Sequence, residues 1–345
     1  MSDDIGRPVL GISTGDPAGI GPEICVKALV SKKVYENCKP LIVGDAGSIR
    51  DAMRIIGCNF KLNVVENVQD AKFEFGTIDM VDLHNVDMDK LLYGKISAMG
   101  GNAAFEAVKK VIDLAMANEI DATITGPLNK EALNMAGHHF NGHTEIYAHF
   151  TKTKAYSMML AHGNLRVVHV STHVSLAEAC RLVKKDRVLS AIKLADKACR
   201  GLGIENPRIG VAGLNPHAGE NGMFGQEEIE EIAPAVEEAK TLAIDIDGPM
   251  PPDSIFSKAN GGGYDIVIAM YHDQGHIPLK LAGFVWNNEL KKWNSVAGVN
   301  ITLGLPIIRS SVDHGTAFEI AGKGIASEQS LINAIDYGIA LAKYR

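Results

Sequence analysis

Short apolar and β-branched runs alternate along this chain with stretches whose apolar positions recur at helical spacing, and that alternation narrows the fold more than any other feature. "PVLGIST" leads through Gly and Pro into "GPEICVKALV", and "PLIVGD" is a second strand ending in Gly and Asp. "NAAFEAVKKVIDLAMAN" has a helical period, and "DATITGP" is a strand running into a turn. "LRVVHVSTH" and "RIGVAGLNPH" repeat the pattern, with the helical "VSLAEACRLV" between them. Strands separated by helices predict an α/β protein with a largely parallel sheet. With 345 residues, 46% of them hydrophobic, the chain has material for two lobes. No short-period repeat or low-complexity segment breaks it.

Three of the strand-like runs end alike: "VVHVSTH" at His173, "IGVAGLNPH" at His217 and "DIVIAMYH" at His272. In open α/β sheets the working crevice lies outside the carboxyl ends of the strands. Three imidazoles delivered there can meet on one divalent ion and leave positions open for substrate. Each taken alone is more often an ordinary hydrogen-bonding residue than a ligand. His169 sits in a strand too, so that placement is not sufficient. His84, His138, His139, His149 and His162 are read as surface, core or turn residues.

Other groups suit an anion. "NGHTEIYAHF" places His143 and Thr144 before a helical run beginning near Glu145, with Thr144 the expected helix cap and its neighbouring N–H groups open to a phosphate or carboxylate. Lys280, Asn300 and Arg309 follow strand-like segments in the last third. Arg309 is costly to bury without an anionic partner, a bound anion or a structural salt bridge. "STGDPAGIGPE" is neither a dinucleotide fingerprint nor a Walker A loop, and only a tight strand-to-helix turn follows from it. "DHGTAFEIAGKGIA", with His314 near its start, is by spacing a turn or a loop against a nucleotide.

The formal net charge of −7 argues against a nucleic-acid partner. The basic "RLVKKDR" reads as one solvated helix face. Five scattered cysteines make no C-x-x-C pair, so reduced thiols are expected. No apolar run is long enough to span a bilayer, and the acidic "MSDDIGRPVL" lacks a signal-peptide core. A soluble, cytoplasmic protein with no membrane partner is the expectation.

Taken together, "TGDPAGIGPE", "ITGPLNKEAL", "GHTE", "GLNPHAGE", "AMYHDQG", "GVNITLGLPIIRSSVDHGTA" and "IAGKGIA" resemble the 4-hydroxythreonine-4-phosphate dehydrogenase family from about residue 8 to about residue 340. That resemblance implies a two-lobed α/β/α fold of the isocitrate and isopropylmalate dehydrogenase kind. It places the active site in the interdomain cleft at the interface of a homodimer, each site completed by the other subunit. The first lobe is expected over 1–135 plus 280–345, with the NAD-side loop. The second, expected over 136–279, would carry the metal ligands and the dimer contact.

Matched position by position, the resemblance makes His173, His217 and His272 ligands of one divalent ion per site, whether zinc, cobalt, magnesium or manganese. His143, Thr144, Lys280, Asn300 and Arg309 become substrate contacts, with Asp253 and Asp273 near the substrate. Lys280, Asp273 and Asp253 are the catalytic candidates, the proton acceptor being Lys280 or Asp273. NAD is assigned to His314, Gly315, Thr316 and Asn215.

Two departures from the vitamin B6 enzymes stand out. The link "GFVWNNELKKWNSVAGVN", with Trp286 and Trp293, is about ten residues longer than the family's short turn, and "NGHTE" replaces the usual "PGHTE". Both look like the paralogous branch acting on 4-phospho-D-threonate or 4-phospho-D-erythronate. The implied reaction is NAD-dependent oxidation of the C3 alcohol, then decarboxylation to dihydroxyacetone phosphate. The 4-phosphohydroxy-L-threonine dehydrogenase of pyridoxal phosphate biosynthesis is the alternative within the family. A cofactor-free three-His metal hydrolase and a non-catalytic binding protein are the alternatives from other classes. The 284–298 insert covers the cleft, thickens the dimer contact or is a plain surface excursion.

Overall fold

Fourteen strands carry the architecture of the computed structural model, which describes residues 6–288 and 292–344. They are β1 (Val9–Ser13), β2 (Lys39–Gly44), β3 (Lys61–Val64), β4 (Thr77–Asp82), β5 (Ala122–Thr125), β6 (Ser157–His162) and β7 (Leu165–His169). The series continues with β8 (Ile209–Ala212), β9 (Ile246–Met250), β10 (Ile266–Ala269), β11 (Phe284–Asn287), β12 (Lys292–Val296), β13 (Val299–Leu303) and β14 (Ile308–Val312). The chain divides into two compact units, one running to Thr153 and resuming over Leu305–Lys343, the other Lys154–Gly304 with Tyr344.

In the first unit the strands run β3-β4-β2-β1-β5-β14, every pair parallel. β1, β2 and β5 are buried almost throughout, as strands covered on both faces are. The helix Ala98–Met116 starts where the Ser97 hydroxyl accepts the Gly100 N–H at 3.0 Å. It buries Val108, Val111 and Ile112 in a cluster with Leu41, Val43, Leu133, Ile146 and Tyr147. Because the helix His143–Phe150 contributes Ile146 and Tyr147 to that cluster, residues 136–153 belong to this unit rather than to the second, where they were expected.

In the second unit the order is β13-β6-β7-β10-β8-β9. The β13–β6 and β6–β7 pairs are antiparallel, and β7, β10, β8 and β9 run parallel. Its core joins Leu160, Leu165 and Val167 to Ile255, Phe256, Tyr264, Val267 and Leu279. Leu279 lies on the helix His272–Gly283, and β13 pairs with β6, which draws residues 280–304 into this unit instead of the first.

The described part of the insert forms two paired strands. β11 pairs antiparallel with β12, Trp286 opposite Trp293 along the backbone. The side chains of both tryptophans, and residues 289–291, lie outside the described residues, so the reading of the insert as a cover or an interface rests on them untouched. No described helix is long and apolar enough to cross a membrane, and all five cysteines are free.

Candidate active site

Three neighbouring parallel strands of the second unit, β7, β10 and β8, send their carboxyl ends toward one edge, and His173, His272 and His217 follow those ends in that order. The rings of His173 and His272 stand 5.7 Å apart. His272 is the first residue of its helix, with its Nδ1 2.6 Å from Oδ1 of Asp273. A carboxylate on Nδ1 fixes the tautomer that leaves the Nε2 lone pair for a ligand.

Behind His272 stands His276, stacked on it at 3.6 Å and 12°, its Nδ1–H donating to the His272 carbonyl at 2.8 Å. His169, fully buried, lies 4.7 Å beyond. A β-carbon at position 275 would fall 2.3 Å from His169 Nε2, so glycine there lets the helix settle onto β7. Burial, and then the nearby His276, push the His169 imidazole down to about 3. Burial, and then His272, push His276 down to about 4, so both are neutral at neutral pH.

His272, His276 and Lys280 recur every four residues and share one helix face. Lys280 is therefore a helix residue, not one that follows a strand, and its Nζ sits 5.2 Å from the Phe284 ring centre. A cavity of about 640 Å³ beside this helix brings Asp253 and Asp273 together with Tyr271 and Gln274. Asn300, within β13, donates from Nδ2 to Met158 Sδ at 3.0 Å.

His217 lies on the loop Pro216–Gly222, exposed, its ring centre 6.4 Å from that of Phe224. The three histidines are thus drawn to one sheet edge, with two of them side by side. Among the described residues, no three His, Cys, Asp or Glu stand arranged to hold a metal ion. Asn215, assigned by resemblance to NAD, spends its amide hydrogens on Glu227 at 2.7 Å and Glu228 at 2.9 Å.

The first unit holds a separate polar corner. Arg309 lies inside β14, not after a strand, and is 2% exposed. Its Nη2 donates to Thr125 Oγ1 at 3.3 Å, and its guanidinium carbon is 5.7 Å from the Tyr147 ring. Burial draws its pKa down to about 10. The helix His143–Phe150 is capped by Gly142 with no side-chain cap, so Thr144 is a first-turn residue and not the cap. His143 Nε2 is buried without a hydrogen-bond partner in the structure. Burial, then the charge of Arg309, hold His143 well below the ordinary imidazole range, and hence neutral. A buried guanidinium, a neutral imidazole and a helix N-terminus without a side-chain cap form a donor set for a phosphate.

His314, Gly315 and Thr316 lie on the loop after β14, two strands from β1 and parallel to it. Ile20 N–H donates to the Thr316 carbonyl at 3.0 Å, Gly322 N–H to Glu23 at 2.6 Å, and Lys27 to the Ala326 carbonyl at 2.6 Å. The two glycine-rich segments are thereby tied into one surface at the carboxyl edge of the sheet, where nucleotides bind in open α/β folds. Gly315 has open space over it, which the close approach of a cofactor requires.

Some residues of this region were not foreseen. His276 was visible in "HDQGH" but acquires meaning only once that segment is helical, four residues from His272. Asp16, in the β1 turn, is fully buried, and desolvation raises its carboxyl to about 6 against the pull of the Ala18 N–H. Nothing in a turn-forming Asp signals that burial.

Residues 36–338 match the family described as pyridoxal phosphate biosynthetic protein PdxA. A "D-threonate 4-phosphate dehydrogenase" of Cupriavidus necator is 47% identical over 346 aligned residues, covering all of both chains. A solved 4-hydroxythreonine-4-phosphate dehydrogenase from Burkholderia phymatum is 45% identical with a TM-score of 0.83, over 97% of this chain and 98% of that one. The corresponding enzyme from Klebsiella pneumoniae is 41% identical with a TM-score of 0.85, over 98% of each. Likeness of that extent, running through both units, makes this chain a member of the pyridoxal phosphate biosynthetic protein PdxA family.

Proposed function

We propose that this protein oxidises the C3 alcohol of 4-phospho-D-threonate with NAD and releases carbon dioxide, leaving dihydroxyacetone phosphate. The observation that carries the reading is the full-length likeness to the Cupriavidus necator protein of that named activity. The corner of Arg309 and the neutral His143, and the paired His173 and His272, support its parts.

Arg309, His143, Thr144 and the first-turn N–H groups of helix His143–Phe150 hold the phosphate; Asn300 fixes the remaining hydroxyls. His173, His217 and His272 would hold a divalent ion, and among the candidate metals zinc and cobalt suit imidazole donors best. Such an ion, when bound, lowers the pKa of an alcohol and polarises a carbonyl. His314, Gly315 and Thr316 would hold NAD, which when bound would supply the hydride-accepting chemistry. Asp273 orients His272, which leaves Lys280, on the same helix face, to take the alcohol proton. The resulting 3-keto acid loses its carboxylate as carbon dioxide and gains a proton at C2. Asp253, in the cavity with Asp273, borders that step.

A homodimer accompanies this reading. Ile277 and Leu281 on the same helix are 64% and 82% exposed, with Val285 at 52%, an apolar stripe of the kind that partners cover.

A second reading is supported by the solved 4-hydroxythreonine-4-phosphate dehydrogenases: the substrate is the amino acid precursor of pyridoxal phosphate. A panel of 4-phosphorylated four-carbon acids, including that precursor, scored for NAD reduction, separates the two. Turnover of phosphothreonate with dihydroxyacetone phosphate as product is expected. Reduction by the amino acid alone would overturn the choice.

A further inference from the structure

The loop that carries His217 is left-handed over five consecutive residues: φ is 53° at His217, 55° at Ala218, 80° at Gly219, 44° at Glu220 and 56° at Asn221. Four of the five bear a β-carbon, and the left-handed region costs such residues about 1–2 kcal/mol each. A turn of that kind persists only where its surroundings over-determine it.

The group that does so here is the carboxylate of Glu228, itself only 4% exposed. Its Oε1 accepts the backbone N–H of Leu214 at 2.7 Å and of Asn215 at 2.8 Å, and its Oε2 accepts from Asn215 Nδ2 at 2.9 Å. Three donors from the entrance of the turn therefore converge on one side chain. The turn itself closes from the other side. A β-carbon at Gly219 would lie 2.7 Å from Oε2, so the backbone reaches the carboxylate only with glycine at that position. Glu228 also opens a π-turn, Glu228–Ile232, ahead of the helix Ala233–Thr241. Such widened turns shift side chains out of helical register and recur at functional sites.

We propose that Glu228 is a positioning residue for the divalent-ion site: it holds the left-handed turn, and the turn sets the place of His217. The inference rests on the metal reading above. A neutral amide cannot replace the carboxylate, because its NH2 would face either the Asn215 amide or the two backbone N–H groups.

The test uses the full-length protein and cobalt(II) alone as probe. Glu228→Gln keeps side-chain volume, and Gly219→Ala crowds the same carboxylate from the opposite side. Both variants are expected to fold, to lose hydrogen-exchange protection at the amides of Leu214 and Asn215, and to bind cobalt about 10–100-fold more weakly by calorimetry. The double variant Glu228→Gln/His217→Ala should bind no more weakly than His217→Ala, since both changes act through one ligand. If the wild type binds cobalt and Glu228→Gln binds it equally well, or if the amides stay protected in both variants, the positioning role is wrong while the metal reading stands. If the wild type binds no cobalt, the metal reading fails and takes this role with it.

Discussion

The Nδ1 of His272 stands 2.6 Å from Oδ1 of Asp273, the next residue in the chain, so one helix turn supplies a candidate ligand together with the group that orients it. Asp273 is 70% exposed, and the attraction is screened accordingly. What the carboxylate contributes is direction. Asp273→Asn preserves shape but no longer requires the Nδ1–H tautomer, and the expected result is a roughly tenfold loss of cobalt affinity with a lower kcat. The KM for the phosphorylated acid should not move, because the phosphate corner contains no part of this pair. Steady-state kinetics at saturating metal, beside a calorimetric titration, check both statements.

Arg309 makes the opposite demand. Its guanidinium is buried inside a strand beside Thr125 and Tyr147, where a planar fork is pre-aligned. Arg309→Lys keeps the charge and removes the fork. The KM for substrate should rise about 10–100-fold, as losing a charge-assisted hydrogen bond of about 1.5–3 kcal/mol requires. A KM within twofold of wild type would remove Arg309 from the phosphate site.

Leu281, the most exposed large apolar side chain of its helix, lies beside the stripe of His272, His276 and Lys280. Leu281→Glu places a charge where a partner is proposed to sit. Sedimentation should show the wild type as a dimer and the variant shifted toward monomer, with activity falling in step. An unshifted dimer would move the interface elsewhere.

How much of this was readable in the chain depends on whether the signal was local. Apolar runs such as "IVIA" of β10 and the period of "NAAFEAVKKVIDLAM" are local, and they became a buried parallel strand and a long helix. That histidines follow β7, β8 and β10 was legible; that those strands are neighbours was not, since strand order is set by distant pairing. Arg309 and Lys280 were noticed but misplaced by a few residues, because a strand or helix boundary depends on hydrogen bonds the sequence does not print. Glu228 and Asp16 were invisible. Each is an acidic residue in a polar stretch, and only tertiary packing buries it.

Asp16 carries a measurable cost. Its carboxyl is raised from an ordinary value of 3.8 to about 6, chiefly by burial. Below about pH 3 both folded and unfolded forms are protonated. As pH rises toward 6 the unfolded chain loses its proton more readily, and stability is lost; above 6 the loss is complete. Asp16→Asn keeps the oxygen that accepts the Ala18 N–H and removes the charge. The variant should be more stable than wild type by about 1–3 kcal/mol at pH 7, with the gap closing below about pH 3, as read from urea denaturation.

His169 acts with the other sign. Its folded pKa, about 3, lies far below the unfolded value of 6.5. Above about pH 6.5 the imidazole is neutral in both states and contributes no pH dependence. Below it, the unfolded chain takes up a proton that the folded one refuses, so stability falls as pH falls, at about 1.4 kcal/mol per pH unit for this one group. His276, also depressed, adds to the same slope. His169→Asn replaces the ring with an amide that still donates to the Met158 carbonyl, the contact the imidazole makes at 3.3 Å. In metal-free protein the variant should start less stable at pH 7, because the amide fills less of a fully buried site. Between about pH 6 and pH 4.5 its stability should then decline more slowly than that of wild type. Parallel slopes would mean that the proton is taken up elsewhere, and that this imidazole is not kept neutral by its burial.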